Sequence, residues 1–183
     1  MNRVVLWAPL ASVAVLLAIF AIALLARPEG TPGDPMTGRP LPPMSLQPVG
    51  PDFVLFDPET IEGPYILNIW ASSCAPCEVE HPLLTALSES GIPLHGITYA
   101  DRPENSRAFL ARLGNPFASL ASDPERRAAL DLGVTGAPET FVIDGNGVIR
   151  ARWRGALTDT IWERHMAPAW RVANREWGAQ AES

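Results

Sequence analysis

The two cysteines of this chain lie two residues apart, in the segment WASSCAPCEVEHP, and the residues on either side of them constrain the fold. Residues 65–70, YILNIW, form a continuous apolar and β-branched run that is typical of a buried strand. Apolar residues then recur at helical spacing over 75–87, and Gly91 is placed to end that helix. Cys74 is therefore predicted at the N-terminus of a helix that directly follows a core strand.

The remainder of the chain alternates between strand and helix patterns. The expected elements are a strand at 94–100, a helix within 102–114, a short strand at 117–120, a helix within 123–133 capped by Asp123, a hairpin of 140–144 and 148–154, and a final helix from Thr160 to about Trp170. This order predicts an α/β fold in which parallel strands come first and an antiparallel hairpin lies at the edge of the sheet.

The chain begins with an apolar segment that carries no charge from Val4 through Ala26. A membrane-spanning helix needs about 20 such residues, whereas the apolar core of a cleaved signal peptide, the alternative here, is usually only about 7–15 residues long. Residues 1–27 are therefore interpreted as an uncleaved signal anchor with the rest of the chain outside the cell membrane. Residues 28–40, rich in proline and glycine, are predicted to be a linker, and 41–183 a single domain.

Three roles are open to a cysteine pair at this spacing. A disulfide staple that closes so short a loop would remove little entropy from the unfolded chain. A closed zinc site needs four ligands, and His81, His95 and His165 provide no second paired motif. A redox pair has a direct physical basis, because a helix N-terminus lowers the pKa of a cysteine and so favours the nucleophilic thiolate. We therefore expect Cys74 to attack a partner disulfide and Cys77 to resolve the resulting mixed disulfide.

Several motifs together resemble a known family. A strand, W-x-x-x-C-x-x-C, a helix and a later G-A-P-E-T-F before a hairpin resemble the thioredoxin superfamily. Within it, NIWASSCAPCEVEHP, LGNPFA, DLGVTGAPETFVIDGNGVIR and the N-terminal anchor resemble the CcmG/DsbE family of membrane-tethered thiol:disulfide interchange proteins of cytochrome c maturation. The resemblance extends from about Leu41 to Trp170. It implies a thioredoxin-like fold, with a central mixed sheet flanked by helices, preceded by one transmembrane helix.

The resemblance also implies roles for individual residues. Pro138 is expected to be a cis-proline that faces the cysteine pair, and Trp70, Ala137 and Glu139 are expected to contact substrate in the groove beside Cys74. Members of the family usually have an aromatic residue directly before the first cysteine. Here Ser73 replaces it, which makes the surroundings of the first cysteine smaller and more polar.

Glu80 is the expected acid–base residue. It lies three residues after Cys77 and therefore on the same helix face, one turn away. Asn68 stands where thioredoxins have a buried aspartate, and it cannot titrate. The alternative is that Glu80 is an ordinary solvated acid on the helix surface. Acids close to the thiols should raise the pKa values of the cysteines, so a reductant is expected rather than a strong oxidant.

The expected function is that of a thiol:disulfide interchange enzyme anchored in the inner membrane, with its domain in the periplasm. The resemblance implies that it reduces the disulfide of the CxxCH motif of apocytochrome c, directly or through a CcmH-like partner, with electrons from a CcdA- or DsbD-type carrier. No bound cofactor or metal is expected, and a net charge of −6 argues against nucleic acid as a partner. The alternatives are a general periplasmic disulfide reductase and a copper metallochaperone.

Overall fold

The computed structural model describes residues 34–181. Its strands are β1 (Tyr65–Trp70), β2 (Leu94–Tyr99), β3 (Ser119–Asp123), β4 (Glu139–Ile143) and β5 (Ile149–Arg154). Its helices are α1 (Ala75–Glu89), α2 (Pro103–Leu113), α3 (Arg127–Asp131), α4 (Asp159–Ile161) and α5 (Ala167–Ala181), with a π-helical turn (Trp162–Met166) that joins the last two and a 3₁₀ turn at Pro58–Thr60.

The five strands form one mixed sheet in the order β3-β2-β1-β4-β5. β1, β2 and β3 pair in parallel, whereas β4 pairs antiparallel with both β1 and β5. Every residue of β1 is buried because helices cover both faces of the sheet, which explains why its sequence is apolar apart from Asn68. The predicted fold, a thioredoxin-like α/β sheet with an antiparallel hairpin at one edge, is confirmed.

Two apolar cores lie on opposite faces of the sheet, because successive side chains of a strand point in opposite directions. Ile66 and Trp70 of β1 belong to the core that also contains side chains of α1, α2 and the C-terminal helix. Leu67 and Ile69 belong to the other core, together with side chains of α3 and β4. The first core therefore lies directly beneath the cysteine helix.

The end of the predicted linker is part of the domain. The compact unit begins at Pro35, earlier than the predicted boundary at Leu41. Gly38 N donates to Ile149 O at 2.7 Å, and Ile149 N donates to Arg39 O at 2.9 Å. These residues cover the start of β5, an edge strand that would otherwise present unpaired backbone groups to solvent.

The helix predicted within 123–133 is shorter than expected. Asp123 belongs to β3, and its carboxylate accepts hydrogen bonds from Arg127 N and Ala129 N, each at 2.9 Å. Arg126 has a left-handed backbone with φ of 62°, so the helix begins only after it. The short strand predicted at 117–120 is likewise displaced, because its pairing with β2 extends through Asp123.

The final helix begins earlier and ends later than predicted. Thr158, not Thr160, is its N-cap, since its Oγ1 accepts from Ile161 N at 3.3 Å. Ala173 is buried and Trp177 packs over Gly145, so the apolar face continues well beyond Trp170. The contacts that extend this helix are tertiary, which is why periodicity alone placed its end too early.

The predicted transmembrane anchor, residues 1–27, lies outside the described residues. Among the helices of residues 34–181, none combines the length and the apolar character needed to cross a bilayer.

His95 is a buried titratable group on β2. Its Nδ1 lies 2.7 Å from Ser119 Oγ, and its ring meets that of Tyr65 edge-on at 5.1 Å. Burial lowers the pKa of His95 to about 4, well below its ordinary value of 6.5. The folded domain therefore holds this ring neutral over a range in which the unfolded chain would protonate it.

This burial predicts a loss of stability in acid. Between pH 6.5 and 4 His95 is protonated in the unfolded chain but neutral in the folded domain. The free energy of unfolding therefore falls by up to about 1.4 kcal/mol for each unit that the pH decreases over that range. His95→Gln should reduce the loss between pH 7 and pH 4.5 by about 2–3 kcal/mol, measured by urea unfolding. The exposed His165→Gln is the control, and an unchanged pH dependence in His95→Gln would contradict the prediction.

Candidate redox site

Cys74 and Cys77 are joined by a disulfide at the N-terminus of α1. Cys74 is the N-cap residue, with an extended backbone, and its Sγ accepts a hydrogen bond from Cys77 N at 3.2 Å. Cys74 is half-buried, whereas Cys77 is only 2 % exposed. In the reduced protein the same backbone N–H and the positive end of the helix dipole would stabilise a thiolate at the accessible sulfur.

Asp101 holds the turn that presents Cys74. It follows β2, and its carboxylate accepts from Ser72 N (2.8 Å), Ser72 Oγ (2.9 Å), Arg102 N (2.9 Å) and Ser106 Oγ (2.7 Å). Sequence reasoning missed this residue. A signal was available, because β1 and β2 are consecutive parallel strands whose carboxyl ends meet at one edge, where a polar residue can reach the loop after its neighbour.

Glu80 lies in the interior, one helical turn after Cys77, with only 1 % of its surface exposed. Its Oε1 accepts from Asn68 Nδ2 at 2.9 Å and its Oε2 from Leu157 N at 2.7 Å. Burial raises the pKa of Glu80 to about 7, although both hydrogen bonds act to lower it. The alternative of a solvated surface acid is wrong, and the carboxyl is placed to exchange a proton near neutral pH.

Thr140 and Leu157 complete the surroundings of Glu80, and neither was foreseen from the sequence. Asn68 Nδ2 also donates to Thr140 Oγ1 at 3.1 Å, which ties β1 to β4 beneath α1. Leu157 belongs to the loop after β5 and is 77 residues from Glu80 along the chain. Both contacts depend on the strand order, which a local sequence pattern does not contain.

The peptide bond between Ala137 and Pro138 is cis, as the resemblance implied. Pro138 is buried and its carbonyl accepts from Gly155 N at 2.9 Å. Ala137 is half-buried and, like Cys74, borders the core beneath α1. The backbone groups of Gly136 and Ala137 make no hydrogen bond to any part of residues 34–181, so an extended chain can pair with them.

Two of the residues expected to contact substrate are buried instead. Trp70 is 2 % exposed, stacked on Phe117 at 5.7 Å and 5.0 Å from Phe109, so it is a core side chain. Glu139 is 3 % exposed, and its carboxylate is paired with the Arg152 guanidinium. The expectation that the side chains of Trp70 and Glu139 contact substrate in the groove is therefore wrong.

The exposed side chains next to Cys74 in the sequence, Ser73, Ala75 and Pro76, are small or apolar. On the following turn of α1, Val79 is 69 % exposed and the exposed Glu78 is paired with Arg112. Such a surface can accept an uncharged peptide segment beside the accessible sulfur.

The three histidines lie in separate places. His81 Nε2 is 3.1 Å from Gly114 O, His95 is bonded across to β3, and the His165 ring stacks on Trp153 at 5.2 Å. Across the described chain, no group of three or more His, Cys, Asp or Glu side chains is arranged to hold a metal ion.

Comparisons with known proteins agree with this arrangement. The Redoxin family model matches residues 36–167. The chain is 38 % identical to the thiol:disulfide interchange protein DsbE of Escherichia coli strain K12, over 96 % of this chain and 98 % of that one. It is 40 % identical to the thiol:disulfide interchange protein HelX of Rhodobacter capsulatus, over 73 % of this chain and 76 % of that one.

Solved structures support the same fold. A DsbE-like thiol:disulfide interchange protein from Chlorobium tepidum, 24 % identical, superposes with a TM-score of 0.60 over 73 % of this chain and 97 % of its own. A thio-disulfide isomerase from Thermus thermophilus, 26 % identical, superposes with a TM-score of 0.57 over 73 % of this chain and 96 % of its own. With its helix-capping Cys74–Cys77 disulfide, the chain is a redoxin-fold enzyme that belongs to the DsbE/HelX family of thiol:disulfide interchange proteins.

Proposed function

We propose that this protein reduces the disulfide of the CxxCH haem-attachment motif of apocytochrome c, directly or through a CcmH-like partner. Residues 1–27 would anchor it in the inner membrane with its domain in the periplasm, where a CcdA- or DsbD-type carrier would return it to the dithiol form. The observation that carries the proposal is the match to DsbE over 98 % of that protein's length. The site provides the chemistry on which the proposal depends.

Two thiol–disulfide exchanges make up the reaction. The Cys74 thiolate attacks one sulfur of the client disulfide, forms a mixed disulfide and releases one client thiolate. Cys77 then gives its proton to Glu80, attacks Cys74 Sγ and releases the second client thiolate. Both client thiolates take up protons, and two electrons have passed from the protein dithiol to the client.

The reducing direction follows from the acid beside the buried thiol. An oxidising member of this superfamily owes its strength to a stabilised thiolate in its reduced form. Here an ionised Glu80, one turn from Cys77, opposes ionisation of the thiol by like-charge repulsion and counteracts the helix dipole. The reduced form therefore lacks a strongly stabilised thiolate that would oppose transfer of its electrons to a client.

A general periplasmic reductase is the second candidate, and one observation favours it. Because Glu139 is paired with Arg152, it offers no free charge to recognise the histidine of a CxxCH client. Selection of the client would then rest on the backbone of the groove and on the surface around Cys74, both of which can accept many extended chains.

The test uses the reduced protein and two disulfide peptides that differ only in the histidine, CxxCH and CxxCA. We expect the protein to reduce both and to prefer the CxxCH peptide about two-fold, a small effect because Glu139 is already paired with Arg152 and leaves only weak, exposed contacts for the histidine. In cells, loss of the gene should abolish holocytochrome c, and added thiol should restore it. If holocytochrome c persists without the gene, the general reductase is the better description.

A further inference from the structure

We propose that Glu139 and Arg152 are positioning residues that hold the substrate-binding loop, residues 132–138, in the shape that pairs with an extended client. The proposal deepens the function proposed above and rests on it for the nature of the client. The pair is buried next to the groove, yet neither side chain offers its charge to a bound peptide, since the Arg152 side chain is 1 % and the Glu139 side chain 3 % exposed.

Arg152 contacts the loop at its beginning. Its Nη1 donates to Leu132 O at 3.1 Å and its Nη2 to Gly133 O at 2.7 Å, where α3 ends and the loop starts. Its Nε donates to Glu139 Oε2 at 2.7 Å, and the guanidinium lies over the Phe141 ring at 5.0 Å. One planar group thus joins the start of the loop to the first residue of β4.

Glu139 contacts the loop at its middle. Its Oε1 accepts from Thr135 N at 3.2 Å, while its Oε2 remains with Arg152. The loop is consequently held at residues 132, 133, 135 and 139, on either side of Gly136 and Ala137, whose backbone groups are free to pair with a client. The contacts therefore orient the unpaired peptide groups without meeting the substrate themselves.

The geometry requires arginine. Lysine would keep the charge that balances Glu139 but has a single ammonium group, which cannot bond to two carbonyls and a carboxylate in the planar arrangement of a guanidinium. Arg152→Lys should therefore loosen the loop while it keeps the charge balance of the interior. A matched control exists on the same strand, because Arg150 pairs with the buried Asp144 and with Glu176 at the other end of β5.

The experiment compares Arg152→Lys, the double variant Arg152→Met with Glu139→Gln, and the control Arg150→Lys. Each reduced protein is assayed on CxxCH and CxxCA disulfide peptides and on oxidised glutathione, which is too small to pair with the loop. We expect both Arg152 variants to lose about ten-fold in kcat/KM on both peptides, mainly through KM, as for one or two lost backbone hydrogen bonds. The glutathione rate and all rates of Arg150→Lys should stay within about two-fold of wild type, a change smaller than the contribution of one typical hydrogen bond.

Amide hydrogen exchange supplies an independent readout, in which the hydrogen-bonded amides of Val134 and Thr135 should exchange faster in Arg152→Lys than in Arg150→Lys. The proposal is overturned by a wild-type ratio of peptide to glutathione rates in Arg152→Lys, by an equal loss in Arg150→Lys, or by unfolding of Arg152→Lys, which would assign the pair to stability alone. If the proposed CxxCH client is wrong, the wild-type protein should reduce the CxxCH and CxxCA peptides at equal rates. The comparison of peptide with glutathione rates would still test the role of the ion pair.

Discussion

A Cys77→Ala variant is expected to accumulate a covalent mixed disulfide with its client, and a Cys74→Ala variant to accumulate none. The reason is the different position of the two sulfurs at the start of α1. Cys74 is the half-buried N-cap and its sulfur meets a helix N–H, whereas Cys77 is 2 % exposed and faces the interior. Only the Cys74 sulfur can reach a partner disulfide, and only the Cys77 sulfur can then resolve the mixed disulfide and release the client.

The measurement is non-reducing electrophoresis after incubation of each variant with a disulfide peptide, followed by mass spectrometry of the adduct. Alkylation of the reduced wild type should show the same asymmetry, with Cys74 modified at least about 100-fold faster than Cys77 at pH 7, because the buried thiol is both inaccessible and largely un-ionised. Adducts of equal yield from both variants would contradict the assignment of the attacking thiol.

Parts of the fold with strong local signals were predictable from the sequence. β1 and α1 are examples, because burial on both faces gives a strand a nearly continuous apolar run, and burial of one face gives a helix apolar residues three or four positions apart. The end of α5 was not predictable in this way. It depends on Trp177 packing over Gly145, which is far away in the sequence.

The site divides along the same line. Cys74, Cys77 and Glu80 lie within seven residues, so helix geometry alone places them together. Asp101 and Leu157 reach the site only because of the order of strands and the loops that follow them. Whether a charged side chain is buried is harder still to predict, because burial requires a partner of opposite charge that can lie far away in the sequence.

Glu139 illustrates this difficulty. Its position beside the cis-proline was expected from the resemblance, and its location next to the groove agrees with that. Whether its carboxylate is available to a client depends on Arg152, which is thirteen residues later on the neighbouring strand. Pairing of β4 with β5 converts an apparent substrate contact into a buried ion pair.

Glu80→Gln is expected to slow resolution of the mixed disulfide by about 100-fold at pH 7 and to change the initial attack by no more than a few-fold. A glutamine cannot accept the proton of Cys77, and loss of a general base usually costs about 10²–10⁴ in rate. Loss of the carboxylate also removes repulsion on the Cys77 thiol, but an effect of about one pKa unit increases the thiolate only about ten-fold. Loss of the proton acceptor therefore outweighs relief of the repulsion.

The pH dependence of the resolution rate should differ between wild type and Glu80→Gln. Because the pKa of Glu80 is raised to about 7, the wild-type resolution rate should increase with pH through 7 as the carboxylate forms, while Glu80→Gln should follow only the ionisation of the Cys77 thiol.

The contribution of Glu80 to the free energy of unfolding should show the opposite trend. A raised carboxyl pKa favours the folded state at low pH, and this contribution is lost as pH rises from 4.5 to about 7, by up to about 1.4 kcal/mol per unit. Glu80→Gln lacks that loss.

The rates come from stopped-flow release of glutathione from a Cys74 adduct, and the stabilities from urea unfolding at pH 5 and pH 8. Glu78→Gln is the matched control, because Glu78 is only one residue after Cys77 but is exposed and paired with Arg112 at 2.8 Å. A charge acting through solvent alone would give the two variants similar profiles. If the resolution profile of Glu80→Gln superimposes on those of Glu78→Gln and wild type, the buried carboxyl takes no proton from Cys77, and its role is confined to holding Asn68 and the loop at Leu157.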